Sequence, residues 1–525
     1  MRPILIIGLD GASFAVLEPL LAAGDLPTLG ALGARAELAS VVPPITPAAW
    51  ASFMTGKHPG KHGIYDFHVY DPATRHDTFV TSRALREPTI WELLTAAGRR
   101  TGVLNLPMTY PPRPGAGTIV SGFDTPSTAV GFTQPPELRE RLLARFPDYR
   151  FVAEPDPSDP TLATDAGFDG FVAAVEASIA QRTDAALMLL AEQPFDAFMV
   201  HYQDPDALQH QAWRFLADPD RHPGRAARLR ETYRRLDAQL ARLVAAMPGG
   251  SLVLVVSDHG FGSHDGRVYP NVLLREWGFL SWRGRRRDRL RRSVQKRLAS
   301  LGLVRRDVKR AGPWITEARA GSFERALPLR WSRTRAYVGL AEIYGLLYLH
   351  LPAGASREAL RGELRRRFLA VRDPHDGASV FADVIAGEVA YPDDPLGRRP
   401  DLVLVPRPGF SVHRGLNHRR WLDRYATTMG THRPNGVLLA GGDGIRPGRL
   451  AGTPSLVDVA PTVLAAAGVP IPDDLDGRVL TELFTEPPAV THVPPPTRGA
   501  DDGFTLSADD ESEVMKRLQA LGYMT

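Results

Sequence analysis

The chain has 525 residues, 43% of them hydrophobic and 23% charged, with Gly and Pro frequent but not periodic. That is the make-up of a soluble globular protein rather than of a chain disordered throughout, and the length allows one large α/β domain with insertions or two or more ordinary domains. There is no cysteine, which excludes disulfides, thiolate metal sites and Cys nucleophiles, favours a reducing compartment, and leaves any metal to His and carboxylates. The net charge of +4 is small, so a nucleic-acid or membrane partner would have to be met by a local basic run.

At the N-terminus, Ile4 to Leu9 is an apolar run closed by Asp10. It is too short for a signal peptide or a membrane span and predicts a buried first strand in a cytoplasmic protein. Further strands are predicted at Thr101–Leu104, Ala197–His201, Leu252–Ser257, Asp401–Val405 and Val437–Ala440, and helical patterns fall between them. Leu229, Tyr233, Leu236, Leu240 and Leu243 form a helical stripe, Pro454–Ala467 predicts a later helix, and a polar helix closes the chain near Asp509–Leu521. Short buried strands alternating with helices argue for an α/β fold: a mainly parallel sheet covered on both faces. Residues 277–400 break the alternation and predict an inserted cap between two parts of one core, 1–276 and 401–485. A Pro-rich segment with the final helix occupies 486–525.

The cap opens with a basic run, Arg283 to Arg310, opposed only by Asp288 and Asp307. Leu290, Val294, Leu298 and Leu301 recur there at helical spacing, so the run can form an amphipathic helix able to meet anionic lipid or nucleic acid. A solvated helix packed on the body by one stripe is the preferred reading, since charge runs more often solvate than bind.

Several chemically versatile residues stand at or just beyond predicted strand ends, where open α/β sheets place their sites. Asp10 ends the first strand. Asp206 and His210, four apart, would face the same way on a helix and can share an ion. Asp258 and His259 end the Leu252–Ser257 strand, and His432 lies in a predicted loop before the next one. Each has an ordinary alternative: a turn acid, a helix cap, a surface histidine, a strand terminator. Thr46-Pro47 is also how a helix begins, with Thr as N-cap. Lys57 and Lys61 lack the glycine spacing of a phosphate loop and are expected to be exposed.

The combination is far more specific. Thr46, Thr55-Gly56, Pro59 and His62-Gly63-Ile64, with Asp10, Asp206-x-x-x-His210, Ser257-Asp258-His259-Gly260 and Gly430-x-His432, resembles the alkaline phosphatase superfamily. It looks closest to the type I phosphodiesterase and nucleotide pyrophosphatase branch and its phosphohydrolase or phosphomutase relatives. The resemblance covers roughly Met1–Pro270 and Asp401–Leu480, and Asp458–Val463 leading to Asp474-Leu475-Asp476-Gly477 is similar to a closing helix and loop of many members. It implies an alkaline-phosphatase-like three-layer sandwich and two divalent ions, Zn²⁺ or Mn²⁺. One would be held by Asp206, His210 and His432, the other by Asp10, Asp258, His259 and the Thr46 oxygen. Two imidazoles with one carboxylate suit Zn²⁺, and the carboxylate-richer set also accepts Mn²⁺. Thr46 would be the nucleophile, activated by coordination, and a phosphothreonine the intermediate.

The chain departs from the family at two donors. Phosphodiesterase members usually carry Asn three positions after the nucleophile, where this chain has Ala49, and Pro47 lacks a backbone N–H. The ions or the amides of Ala48 and Ala49 must then meet the transition-state charge. A sulfatase is not expected, since its nucleophile derives from Cys or Ser. The resulting expectation is a cytoplasmic two-metal phosphohydrolase acting on small phosphate esters. A phosphomutase is the alternative enzyme, and a metal-stabilised binding protein docking through the basic run is the alternative of another class.

Overall fold

Ile4–Leu9 is apolar at every position except Gly8, the pattern of a strand covered on both faces. The computed structural model describes residues 2–153, 162, 164–282, 329–416, 420–497 and 504–521, and in it this strand lies at the centre of a nine-stranded sheet. From one edge to the other the order is Gly448–Arg449, Ala34–Ala39, Asn435–Gly441, Leu252–Val256, Ile4–Leu9, Ala197–Tyr202, Thr101–Leu104, Thr118–Val120 and Thr133–Gln134. Leu252–Val256, Ile4–Leu9, Ala197–Tyr202, Thr101–Leu104 and Thr118–Val120 are mutually parallel. Asn435–Gly441 runs antiparallel to both its neighbours.

The helices fall into two groups, each packing mainly within itself. Thr46–Thr55, Pro59–His62, Ile90–Ala96 and Val459–Ala466 form one; Phe14–Ala22, Pro27–Gly30, Asp165–Glu192, Asp204–Ala217 and Pro223–Ala246 form the other. The chain has the three-layer, alkaline-phosphatase-like fold expected of it. The predicted stripe of Leu229, Tyr233, Leu236, Leu240 and Leu243 is buried along Pro223–Ala246. Pro454–Ala467 resolves into a 3₁₀ turn, Leu456–Asp458, and the helix Val459–Ala466, and the final helix spans Ala508–Leu521.

One predicted strand belongs elsewhere. Leu402–Pro406, expected with the last part of the core, lies between Gly345–Leu349 and Phe381–Ala386 in an antiparallel four-stranded sheet completed by Ala336–Ala341. A short apolar run fits any buried sheet, so only its partners decide where it pairs. This sheet has a hydrophobic cluster of its own, including Tyr337, Leu347, Phe368, Phe381 and Leu404. A third sheet links the two units: Gly260–Val268 runs between Phe410–Val412 and Leu422–Arg433. The basic run Arg283 to Arg310 lies outside the described residues. Among the described residues no helix is long and apolar enough to cross a membrane.

Lys57 is not exposed, as its sequence surroundings had suggested, but 1% exposed. Its ammonium bonds Glu87 at 2.6 Å and Asp474 at 2.5 Å, while Lys61 bonds Asp476 at 2.5 Å and the carbonyl of Asp474 at 2.9 Å. The carbonyl of Gly56 in turn accepts the backbone N–H of Asp476. Together these bonds pin the end of the Thr46–Thr55 helix to the Asp474–Gly477 loop. Replacing one partner of a buried ion pair is costly, so Lys57→Met, which takes away the ammonium facing the buried Glu87, is expected to destabilise the protein by about 3–5 kcal/mol in denaturant titrations.

Candidate active site

Three adjacent strands of the central sheet, Leu252–Val256, Ile4–Leu9 and Ala197–Tyr202, are parallel, so their C-terminal ends open at one edge. Asp10 directly follows the middle strand and Asp258 closely follows its neighbour. Asp206 stands in the first turn of the helix Asp204–Ala217, which leaves the third strand. One turn further along that helix, His210 brings its Nε2 to 3.4 Å from Asp206 Oδ1.

His432 lies in a strand, Leu422–Arg433, where a loop had been expected. Antiparallel pairing sets Phe261 opposite His432 and Gly260 opposite Arg433. That register stacks the His432 ring on His259, with centroids 3.6 Å apart and planes at 17°. Gly430 serves close approach: a Cβ there would meet the Gln209 carbonyl at 2.2 Å. The strand can therefore lie against the helix that carries Asp206 and His210.

The donor atoms suit a cation. His210 Nε2 and His432 Nε2 stand 3.2 Å apart, and each is 3.4 Å from Asp206 Oδ1. Ligands about 2.0–2.1 Å from a tetrahedral ion stand about 3.3–3.4 Å from one another, so this triangle matches one coordination shell. His259 Nε2 lies 3.5 Å from Asp10 Oδ1 and 3.4 Å from Asp258 Oδ2, and neither carboxylate oxygen has a hydrogen-bond partner. The donor atoms of Asp10, Asp258 and His259 fall within 4.8 Å of one another, as do those of Asp206, His259 and His432.

Each imidazole is oriented by a carbonyl on its far nitrogen: Gly430 for His210 at 3.2 Å, Gly260 for His259 at 3.1 Å and Pro44 for His432 at 3.1 Å. A carbonyl only accepts, so Nδ1 carries the proton and all three Nε2 lone pairs face the shared space.

The charges on the site agree with this. Burial, then Asp258 and Asp206, push the Asp10 carboxyl well above the usual range. Burial and Asp206 do the same to Asp258, against the N–H of Gly11. Burial also raises Asp206, but a proton held between it and the facing Nε2 of His210 and His432, in the place a cation would take, outweighs burial and holds that carboxyl well below the usual range. Burial, aided by the His432 ring, keeps His259 neutral. A divalent ion would relieve the repulsion among these carboxylates.

Thr46 is the first residue of the helix Thr46–Thr55, and its N-cap is Ile45 rather than Thr46 itself. Its Oγ1 lies 3.5 Å from His259 Nε2. The Ala49 N–H donates to the Ile45 carbonyl at 2.9 Å, which leaves Ala48 as the candidate of the two proposed amides. All seven residues singled out in the sequence, Asp10, Thr46, Asp206, His210, Asp258, His259 and His432, are buried in one place. Sequence reasoning missed the residues that steady them, notably Trp50, His201 and Gln203, whose Nε2 donates to Asp206 Oδ2 at 3.2 Å. Their types and spacing carried no signal, because each acts through a contact across the fold.

His62 braces the Thr46–Thr55 helix. Its Nε2 meets Ser52 Oγ at 2.8 Å, Ser52 Oγ donates to the Ala48 carbonyl at 2.8 Å, and the Ile64 N–H donates to His62 Nδ1 at 3.2 Å.

Fold and site together define an α/β metallohydrolase with a threonine at the junction of its ligand groups. The family model for type I phosphodiesterase / nucleotide pyrophosphatase matches residues 4–435, and the chain belongs to that family, whose members are metal-dependent phosphoric ester hydrolases acting on small-molecule esters. No curated protein matches the chain. Among solved structures it resembles phosphonoacetate hydrolase from Sinorhizobium meliloti 1021 in complex with phosphonoformate, at 18% identity and a TM-score of 0.53, covering 89% of this chain and 96% of that one. It also resembles human ectonucleotide pyrophosphatase / phosphodiesterase 5, at 12% identity and a TM-score of 0.50, covering 92% and 100%. The murine counterpart, as an inactive variant in complex with AMP, gives 12% identity, a TM-score of 0.51 and coverage of 89% and 96%. At such identities these likenesses bear on the fold alone.

Burial, with His58 and Lys57, takes the His62 pKa from 6.5 to about 3. A group depressed in this way lends stability that is full above pH 6.5 and is lost as pH falls from there toward about 3, at about 1.4 kcal/mol per pH unit. His62→Gln removes that titration. Stability measured against pH for the two proteins should therefore fall less steeply on the acid side in the variant.

Proposed function

We propose that the chain hydrolyses small-molecule phosphate esters by a covalent route through Thr46, with two divalent ions, zinc by preference or manganese. The observation that carries this reading is the Thr46 oxygen at a helix N-terminus, 3.5 Å from His259 Nε2, where the Asp10–Asp258–His259 group adjoins Asp206, His210 and His432. Those last three would hold one ion, and Asp10, Asp258 and His259 with the Thr46 oxygen the other. When bound, the ions would supply Lewis acidity, lowering the pKa of a coordinated hydroxyl and offsetting charge on the phosphoryl group.

The residues themselves do the rest. Thr46 Oγ1 gives up its proton and bonds to phosphorus while the ester oxygen leaves in line with its electron pair and takes up a proton, departing as the alcohol. Water then breaks the Oγ1–phosphorus bond and restores the hydroxyl, releasing phosphate from a monoester or a phosphomonoester from a diester. The positive end of the Thr46–Thr55 helix and the Ala48 amide favour the anionic group beside Thr46. Burial of every polar group involved strengthens these interactions by excluding water. Thr46 has no exposed surface, so substrate entry requires the covering elements to move. The lack of cysteine supports a reducing, cytoplasmic setting.

Purified protein is expected to carry two divalent ions per chain by elemental analysis and to lose activity to a chelator, and His432→Ala should deplete one ion preferentially. Full activity without a transition metal would end this reading.

Thr46→Ala should stay folded and lose turnover by on the order of 10³-fold or more, whereas Thr46→Ser keeps an attacking oxygen and part of the rate. Undiminished turnover in the Ala variant would assign the attack to water. Transfer of phosphate within a sugar phosphate, with none released, would make the enzyme a phosphomutase.

A further inference from the structure

The two oxygens of the Asp10 carboxylate have different surroundings. Oδ2 accepts the indole N–H of Trp50 at 2.9 Å and meets His201 Nε2 at 3.1 Å. In the ionised form that binds a cation, Asp10 only accepts, so the shared proton then lies on that nitrogen. Oδ1 has no hydrogen-bond partner and turns toward His259 Nε2 at 3.5 Å. Both donors are fully buried, and their rings meet edge to face, with centroids 4.9 Å apart and planes at 87°.

The first strand is built to admit this pair. Gly8 stands opposite His201 in the parallel register. A Cβ at Gly8 would meet the His201 ring at 3.0 Å and the Trp50 ring at 3.0 Å, tighter than ordinary van der Waals contact. Trp50 also lies one helical turn beyond Thr46 on the same rigid element. Any shift of that helix relative to the sheet therefore moves the nucleophile and the indole donor together.

We infer that Trp50 and His201 are positioning residues that clamp Asp10 Oδ2, so that Asp10 meets its cation through Oδ1 alone and the Thr46 helix is held in register with the cation site. The inference rests on the proposed cation site. With both donors in place, the carboxylate is oriented before an ion arrives; without them it can rotate and its second oxygen is freed. Losses of such ligand-orienting partners cost about 10–100-fold in metal affinity.

The test titrates Zn²⁺ alone into the full-length, chelator-stripped protein against a chromophoric competitor, with thermal melts to check folding. Wild type should take up two ions. His201→Leu and Trp50→Phe should weaken one of them about 10–100-fold and leave the other unchanged, and His201→Gln, which keeps an N–H donor, should recover part of the loss. If Trp50→Phe does not fold, the contrast between Leu and Gln at position 201 decides. Unchanged binding of both ions, equal weakening of both, or identical behaviour of His201→Leu and His201→Gln would overturn the clamp while leaving the cation site standing. Failure of wild type to take up zinc would overturn both.

Discussion

Asp10, Asp206 and Asp258 converge with His210, His259 and His432 in the interior, where an uncompensated carboxylate is costly to bury. Two of the acids are driven toward their neutral forms by burial and by one another, and the third stays ionised only with a proton or cation between it and the two facing imidazoles. Such an arrangement is stable when protons or a cation occupy the space between the donors. Every other feature of the site follows from that requirement: imidazoles turned by carbonyls so that Nε2 points inward, carboxylates held by one oxygen, and a threonine set at the edge of the group.

The sheet meets the requirement through strand order. Three neighbouring parallel strands end together, so their following residues meet without any long loop to order. The antiparallel strand Leu422–Arg433 supplies the remaining imidazole from outside the central sheet. At the far end of the Thr46–Thr55 helix, the buried Lys57 pairs anchor Gly56 to the closing loop. Trp50 in the middle of the helix bonds Asp10, and Lys57 just beyond its end bonds Glu87 and Asp474.

Gly260–Val268 couples the two units of the molecule. It begins beside His259, its Phe261 lies in the main core, and its Val268 lies in the cluster of the four-stranded sheet. Its partner strand carries His432. The smaller unit and the residues His259 and His432 are thus joined through two paired strands.

The residues of the candidate site came from the resemblance to the alkaline phosphatase superfamily, while local pattern supplied the central strands, the helix with its Leu and Tyr stripe and the α/β class. Those features are local: periodicity and strand-end position are carried by neighbouring residues, and Asp206-x-x-x-His210 holds its geometry within one helix. Tertiary structure decided the rest. Leu402–Pro406 joined the smaller sheet because an apolar strand takes whichever buried edge is offered. His432 entered a strand because its hydrogen-bond partners lie some 170 residues away, and Lys57 went inward because Glu87 and Asp474 were there to meet it. Trp50 and His201 reach Asp10 only once the sheet and the Thr46–Thr55 helix are packed together, since a contact across 40 or 191 residues leaves no mark on local pattern.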